Sequence, residues 1–181
     1  MKRILLLAAL TGSLPGFAAD TDALTEKARK QVQIADQILV KNLQSTTDSS
    51  GTLAAIKACT LNTSEIMTKL DKQWQISRTG LQVRNMENAA NDWQRNVMID
   101  FYSRVHAGED INQLEASRVI DGEFQYMKAI GTDALCMSCH GTKLEGDVSS
   151  KLAQLYPLDQ ALGFKIGDLR GAYVITTSIK E

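Results

Sequence analysis

Histidine is scarce in this 181-residue chain: there are two, His106 and His140, beside three cysteines. That scarcity bears on zinc. A structural zinc site normally takes four Cys or His ligands, and outside the pair Cys136 and Cys139 only Cys59 and His106 remain, far apart in sequence. Charge of one sign is also lacking. The formal net charge is −1, both signs are mixed along the chain, and no basic block occurs, so neither nucleic acid nor an acidic membrane surface is favoured as a partner. Long apolar runs are missing too. Ile4 to Leu10 is too short to span a bilayer. It follows the positive start Met1-Lys2-Arg3 and precedes Pro15-Gly16-Phe17-Ala18, which puts small residues at −3 and −1 of a cut after Ala18. This reads as a signal peptide over 1–18, ahead of a single domain over 19–181. No cysteine lies near the cut, so no lipid anchor is expected. The compartment is exported, the periplasm or its equivalent. With 44% hydrophobic residues there is material for one core.

What is present is Leu135-Cys136-Met137-Ser138-Cys139-His140-Gly141. This holds the C-x-x-C-H pattern of covalent c-type haem attachment. Two thiols two residues apart can add across the two vinyl groups of one haem. The histidine that follows is carried under the iron, where a neutral imidazole binds axially. Gly141 lets the chain leave the turn without a side chain against the porphyrin. A redox dithiol would sit early, after a strand, and needs no trailing histidine. The odd cysteine, Cys59, needs protection in an oxidising compartment. Burial as a small core residue would supply it, and so would binding the iron.

Leu24, Ala28, Val32, Ala35, Leu39 and Leu43 recur at helical steps after an N-cap region at Asp20 to Asp22. Ser45 to Gly51 is polar and is expected to end that helix. A second helix from near Ser50 to about Asp71 places Leu53, Ile56, Cys59, Ile66 and Leu70 near one stripe. Trp74 to Thr79 alternates like a short strand, and Gly80 to Asn91 reads as loop. Asn91 or Asp92 caps a third helix through Trp93, Val97, Phe101 and Val105, ending at His106. A histidine there suits the helix dipole and reads as surface or structural. Arg118 to Ile120, Asp121-Gly122 and Glu123 to Ile130 predict a hairpin with a type I′ turn. Val148 to Leu155 forms a short helix, Phe164 to Asp168 a turn, and Gly171 to Thr177 a last strand. The fold class is α+β with an antiparallel sheet.

From about Ala55 to Val174 the chain resembles exported c-type haem proteins with a PAS-like fold, related to the input domains of sensor kinases. The residues that carry this are Ile56-Lys57-Ala58-Cys59, Arg78 to Asn85, Asn91-Asp92-Trp93, Gly122 to Lys128, Leu135 to Gly141, and most specifically the tail Tyr156 to Ala172. Met86 and Ala90 stand where the family tends to have proline, and Leu162 where it has threonine. The resemblance implies one haem c and makes Cys59 the candidate second axial ligand opposite His140. Competing ligands are His106 and the methionines Met67, Met86, Met98 and Met127; Met137 lies within the attachment loop, on the proximal side.

Two functions are expected. One is a redox or small-ligand sensor, in which a thiolate favours ferric iron and lowers the potential, and reduction frees Cys59. Its partners are a redox or signalling protein and a small gaseous ligand at the iron. The other is an electron carrier on an unusual scaffold. An enzyme is not expected, because His106 is the only spare histidine for acid–base work. Arg78 and Arg84 are candidates for pairing with haem propionates, with an ordinary structural role as the alternative.

Overall fold

The computed structural model describes residues 16–179, and of these the side chains outside 16–20 and 57–68. Most of the segment read as a signal peptide lies outside them. The elements are α1 (Gly16–Lys69), β1 (Gln75–Thr79), α2 (Asp92–His106), β2 (Glu115–Ile120), β3 (Glu123–Gly131), α3 (Met137–His140), α4 (Gly146–Leu155) and β4 (Leu169–Ser178), with short 3₁₀ turns at Met86–Asn88 and Ile111–Gln113. The chain is therefore α+β, as its order of periodicities predicts. None of the described helices is long and apolar enough to cross a membrane.

The strands form one antiparallel sheet in the order β1-β4-β3-β2. Its last strand lies inside, so the sheet closes only when the C-terminal segment inserts between β1 and β3. At the tip of the β2–β3 hairpin Asp121 (φ 50°) and Gly122 (φ 72°) are both left-handed, as a type I′ turn requires.

Period-2 alternation gives the sheet two apolar faces. Phe124, Tyr126, Tyr173, Ile175, Ile76 and Trp74 pack against Ala28, Val32, Ala35 and Leu39 of α1. Met127, Ala172 and Val174 pack against Met98 and Phe101 of α2. The α2 helix begins where expected. The Asn91 side chain accepts from Gln94 N, and Gln94 returns a bond to Asn91 N, a capping box.

The N-cap expected at Asp20 to Asp22 is corrected, because α1 already begins at Gly16, whereas the break expected over Ser45 to Gly51 is found at its last residue. Ser45 to Ser50 does not end the helix, because hydroxyls bond back to the preceding turn: Ser45 Oγ to Asn42 O (3.1 Å) and Thr47 Oγ1 to Leu43 O (2.8 Å). The break falls at Gly51 alone (φ 80°, ψ 169°), a conformation glycine adopts without a Cβ penalty. The arm 16–50 lies on the sheet. In the arm 52–69, Ala55 and Ile56 are buried while Leu53 is 41% exposed, so Leu53 lies off the buried stripe in the first turn of that arm. Cys59 and Ile66 lie outside the described side chains.

Candidate cofactor site

The β3 strand ends at Gly131, and within a few residues the chain enters α3. Cys136 caps that single turn, and His140 N bonds Cys136 O at 2.9 Å. At helical pitch, residues i, i+3 and i+4 share a face. Cys136, Cys139 and His140 therefore line the same wall of one cavity of about 1020 Å³ between α1, the sheet and the loop after α4. Both thiols are free and half-buried. Burial pushes the Cys136 thiol up.

The imidazole is held by the tail segment. His140 Nδ1 lies 2.7 Å from Ala161 O, so Nδ1–H donates to that carbonyl and Nε2 is left as the free lone pair. Phe164 N and Gly163 N bond the carbonyls of His140 and Gly141 at 3.0 and 3.1 Å, and the Phe164 ring meets the imidazole edge-on at 6.3 Å. Burial, then the charges of Arg170 and Arg84, push the His140 pKa down to about 3. The ring is neutral at any ordinary pH, the form that binds a metal. Gly141 is also required by the turn itself. A Cβ there would lie 2.6 Å from Met137 O, so the crowding is against the turn's own backbone.

The two arginines singled out in the sequence part company. Arg84 Nε donates to Asp159 at 2.8 Å, with the two side chains only 14% and 7% exposed, and Nη2 donates to Cys139 O at 2.5 Å. It ties the loop 80–91 to both the Cys136–His140 turn and the tail. Arg78 lines the cavity from β1 and makes no hydrogen bond or ion pair among the described residues. His106 is exposed, with Nδ1 2.9 Å from Tyr102 O, and is not a cavity residue. Met86 lines no part of the cavity, and Met98 and Met127 are buried on the α2 face of the sheet. Met67 and Cys59 lie outside the described side chains. Among the described residues no cluster of three or more His, Cys, Asp or Glu could hold a metal by itself.

Three partners escaped sequence reasoning. Ala161 acts through its carbonyl, which any residue possesses. Arg170 had no motif to mark it beyond its place in the tail. Thr132 is 3% exposed and lines the cavity, with an Oγ1 that finds no hydrogen-bond partner among the described residues. A buried polar atom of this kind is normally satisfied.

The model of the Tll0287-like family matches residues 21–178. The chain belongs to that family. The match takes in α1 from residue 21, the whole sheet, the Cys136–His140 turn and the tail that holds His140. The chain is similar to the crystal structure of the cyanobacterial heme-protein Tll0287, with a TM-score of 0.65 at 22% identity, over 88% of this chain and 97% of that one. At that identity the likeness speaks for the fold. No curated protein matches the chain.

The residues present fit a haem of the c type. Two thiols and a neutral imidazole share one wall, an apolar floor comes from α1 and the sheet, and Arg78 and Arg170 bring positive charge without a paired carboxylate. Thr132 Oγ1 offers an unused donor.

Proposed function

We propose that the chain carries one haem c, attached through Cys136 and Cys139 with His140 as axial ligand, in an exported, non-catalytic protein that senses redox state or a small ligand. The observation that carries the reading is the single helical turn that sets both thiols and a neutral imidazole on the cavity wall, with Nδ1 already committed to Ala161. The family match supports it, and so does the description of the structural neighbour as a heme-protein. Bound there, the haem supplies one-electron chemistry and a site for a gaseous ligand. The mature protein should keep its haem through acid–acetone extraction, and Cys136→Ala with Cys139→Ala should release it. Haem that extracts from the wild type would refute the attachment.

Cys59 is proposed as the second axial ligand. Its backbone lies in the arm 52–69, one helical turn beyond Ala55 and Ile56, which line the cavity. That arm packs through Ile56 on Val148, Leu152 and Cys139, whereas the arm 16–50 packs on the sheet. Gly51 joins them, so a change at Cys59 can turn one arm without disturbing the other. This is the two-state element a sensor needs; the output passes to a partner protein. Cys59→Ser should alter the ferric spectrum and raise the potential, while His106→Ala leaves both nearly untouched. The opposite pair of results would remove the thiolate and the switch with it.

Electron transfer is the second reading. Ile166, on the cavity lining, is 67% exposed, as is Leu158, which suits brief docking of a redox protein. Ferrous protein that binds carbon monoxide favours sensing; ferrous protein that stays closed to it favours transfer.

A further inference from the structure

Among the described residues two cations of the cavity, Arg78 and Arg170, lack a paired carboxylate, and of these Arg170 is the one set against the His140 ring. Its Nη1 reaches Gln82 O only at 3.4 Å, its guanidinium lies 5.1 Å from the Phe164 ring centre, and no carboxylate pairs with it among the described residues. Its Nη2 stands 3.4 Å from His140 Nε2, the nitrogen that Ala161 leaves free. An enclosed charge without a counter-charge is costly, and burial, then Arg84 and Arg78, depress its pKa to about 10. Arg84 differs, because Asp159 already neutralises it.

Such a guanidinium calls for an anion inside the cavity. A metal bound to Nε2 and the Arg170 guanidinium cannot share one place, so a group that brings the metal must also receive the displaced cation. Haem brings two carboxylates. We propose that Arg170, with Arg78 beside it, is the residue that binds the haem propionates, and that Arg84 instead positions the attachment turn. The proposal rests on the haem reading above. It moves the propionate role away from Arg84 and gives it to a residue on β4, the strand hydrogen-bonded to both β1 and β3. The cation then lies near the iron, where it favours the ferrous form that carries one positive charge fewer.

The test compares midpoint potentials of the mature holoprotein, wild type, Arg170→Gln and Arg170→Lys, with haem load and circular dichroism as checks. Arg170→Gln should shift the equilibrium at least tenfold toward ferric, ~59 mV for one electron. Arg170→Lys should recover most of it. A purely structural Arg170 would lower thermal stability in both variants and leave both potentials at the wild-type value, which overturns the proposal. If Arg170→Gln matures without haem, Arg170→Lys decides: a normal load supports the charge role, and an equal loss in a folded chain overturns it. A wild type without covalent haem would instead refute the haem reading itself, before any variant is compared.

Discussion

Single atoms decide much of the site. The backbone of Thr79 on β1 approaches Gly171 on β4 so closely that a Cβ at Gly171 would lie 2.5 Å from Thr79 O. Strand backbone cannot yield as a side-chain tip can. Gly171→Ala should therefore cost about 1–3 kcal/mol, the range of overpacked cores, read as a lower midpoint in urea at unchanged slope. The same strain falls beside Arg170, so the variant should also lower haem load. A melt identical to wild type would show that β1 and β4 part there without cost.

Among the elements, α2 tests whether local chemistry or packing defines a helix. Its capping box satisfies two backbone donors reciprocally, and its buried face has only Met98 and Phe101 fully covered. Asn91→Ala should destabilise the domain by about 1 kcal/mol. The helix should persist, because Met98 and Phe101 still pack on Met127 and Val174. Near-ultraviolet and far-ultraviolet circular dichroism before and after the change check this. The Asn91 cap and the hairpin turn were legible in the sequence, because capping and positive-φ chemistry act over a few residues; the N-cap expected at Asp20 to Asp22 was not found, since α1 already begins at Gly16. The helix break was legible only to within Ser45 to Gly51, and it falls at the last of these residues. Polar composition at 45–50 reads as a loop, yet hydroxyls bonded back to the preceding turn keep those residues helical.

At the scale of the whole molecule, α1 is fastened to the sheet by charge as well as by apolar contact. Arg29 Nε donates to both Glu115 oxygens, at 3.1 and 3.0 Å, and Tyr126 Oη donates to Glu115 at 2.8 Å. Tyr173 Oη donates to Asp36 at 2.9 Å. The bond from Arg29, with that from Tyr126, holds the Glu115 carboxyl below its ordinary range. A depressed carboxylate contributes stability that is complete above its unfolded pKa, ~4.3, and is lost as pH falls through the lower folded value. Acid unfolding of the wild type should thus steepen below that point. In Glu115→Gln the wild-type advantage seen at neutral pH should shrink toward zero as pH falls. An unchanged difference across that window would mean that the clasp carries no stability.

The sequence by itself determined the local matters: the grouping of Cys136, Cys139 and His140, the Asn91 cap, the Asp121-Gly122 hairpin, the two apolar faces of the strands and the α+β class. Each depends on residue type and short spacing, which the chain carries wherever it folds. Tertiary structure alone decided how the arginines divide. Arg84 and Asp159 lie 75 residues apart, and Arg170 reaches His140 from 30 residues away. Nothing in the spacing says which cation meets a carboxylate and which is left facing the cavity. That depends on β4 inserting between β1 and β3 and on the tail folding back over His140, where burial turns an ordinary charge into one that needs a partner.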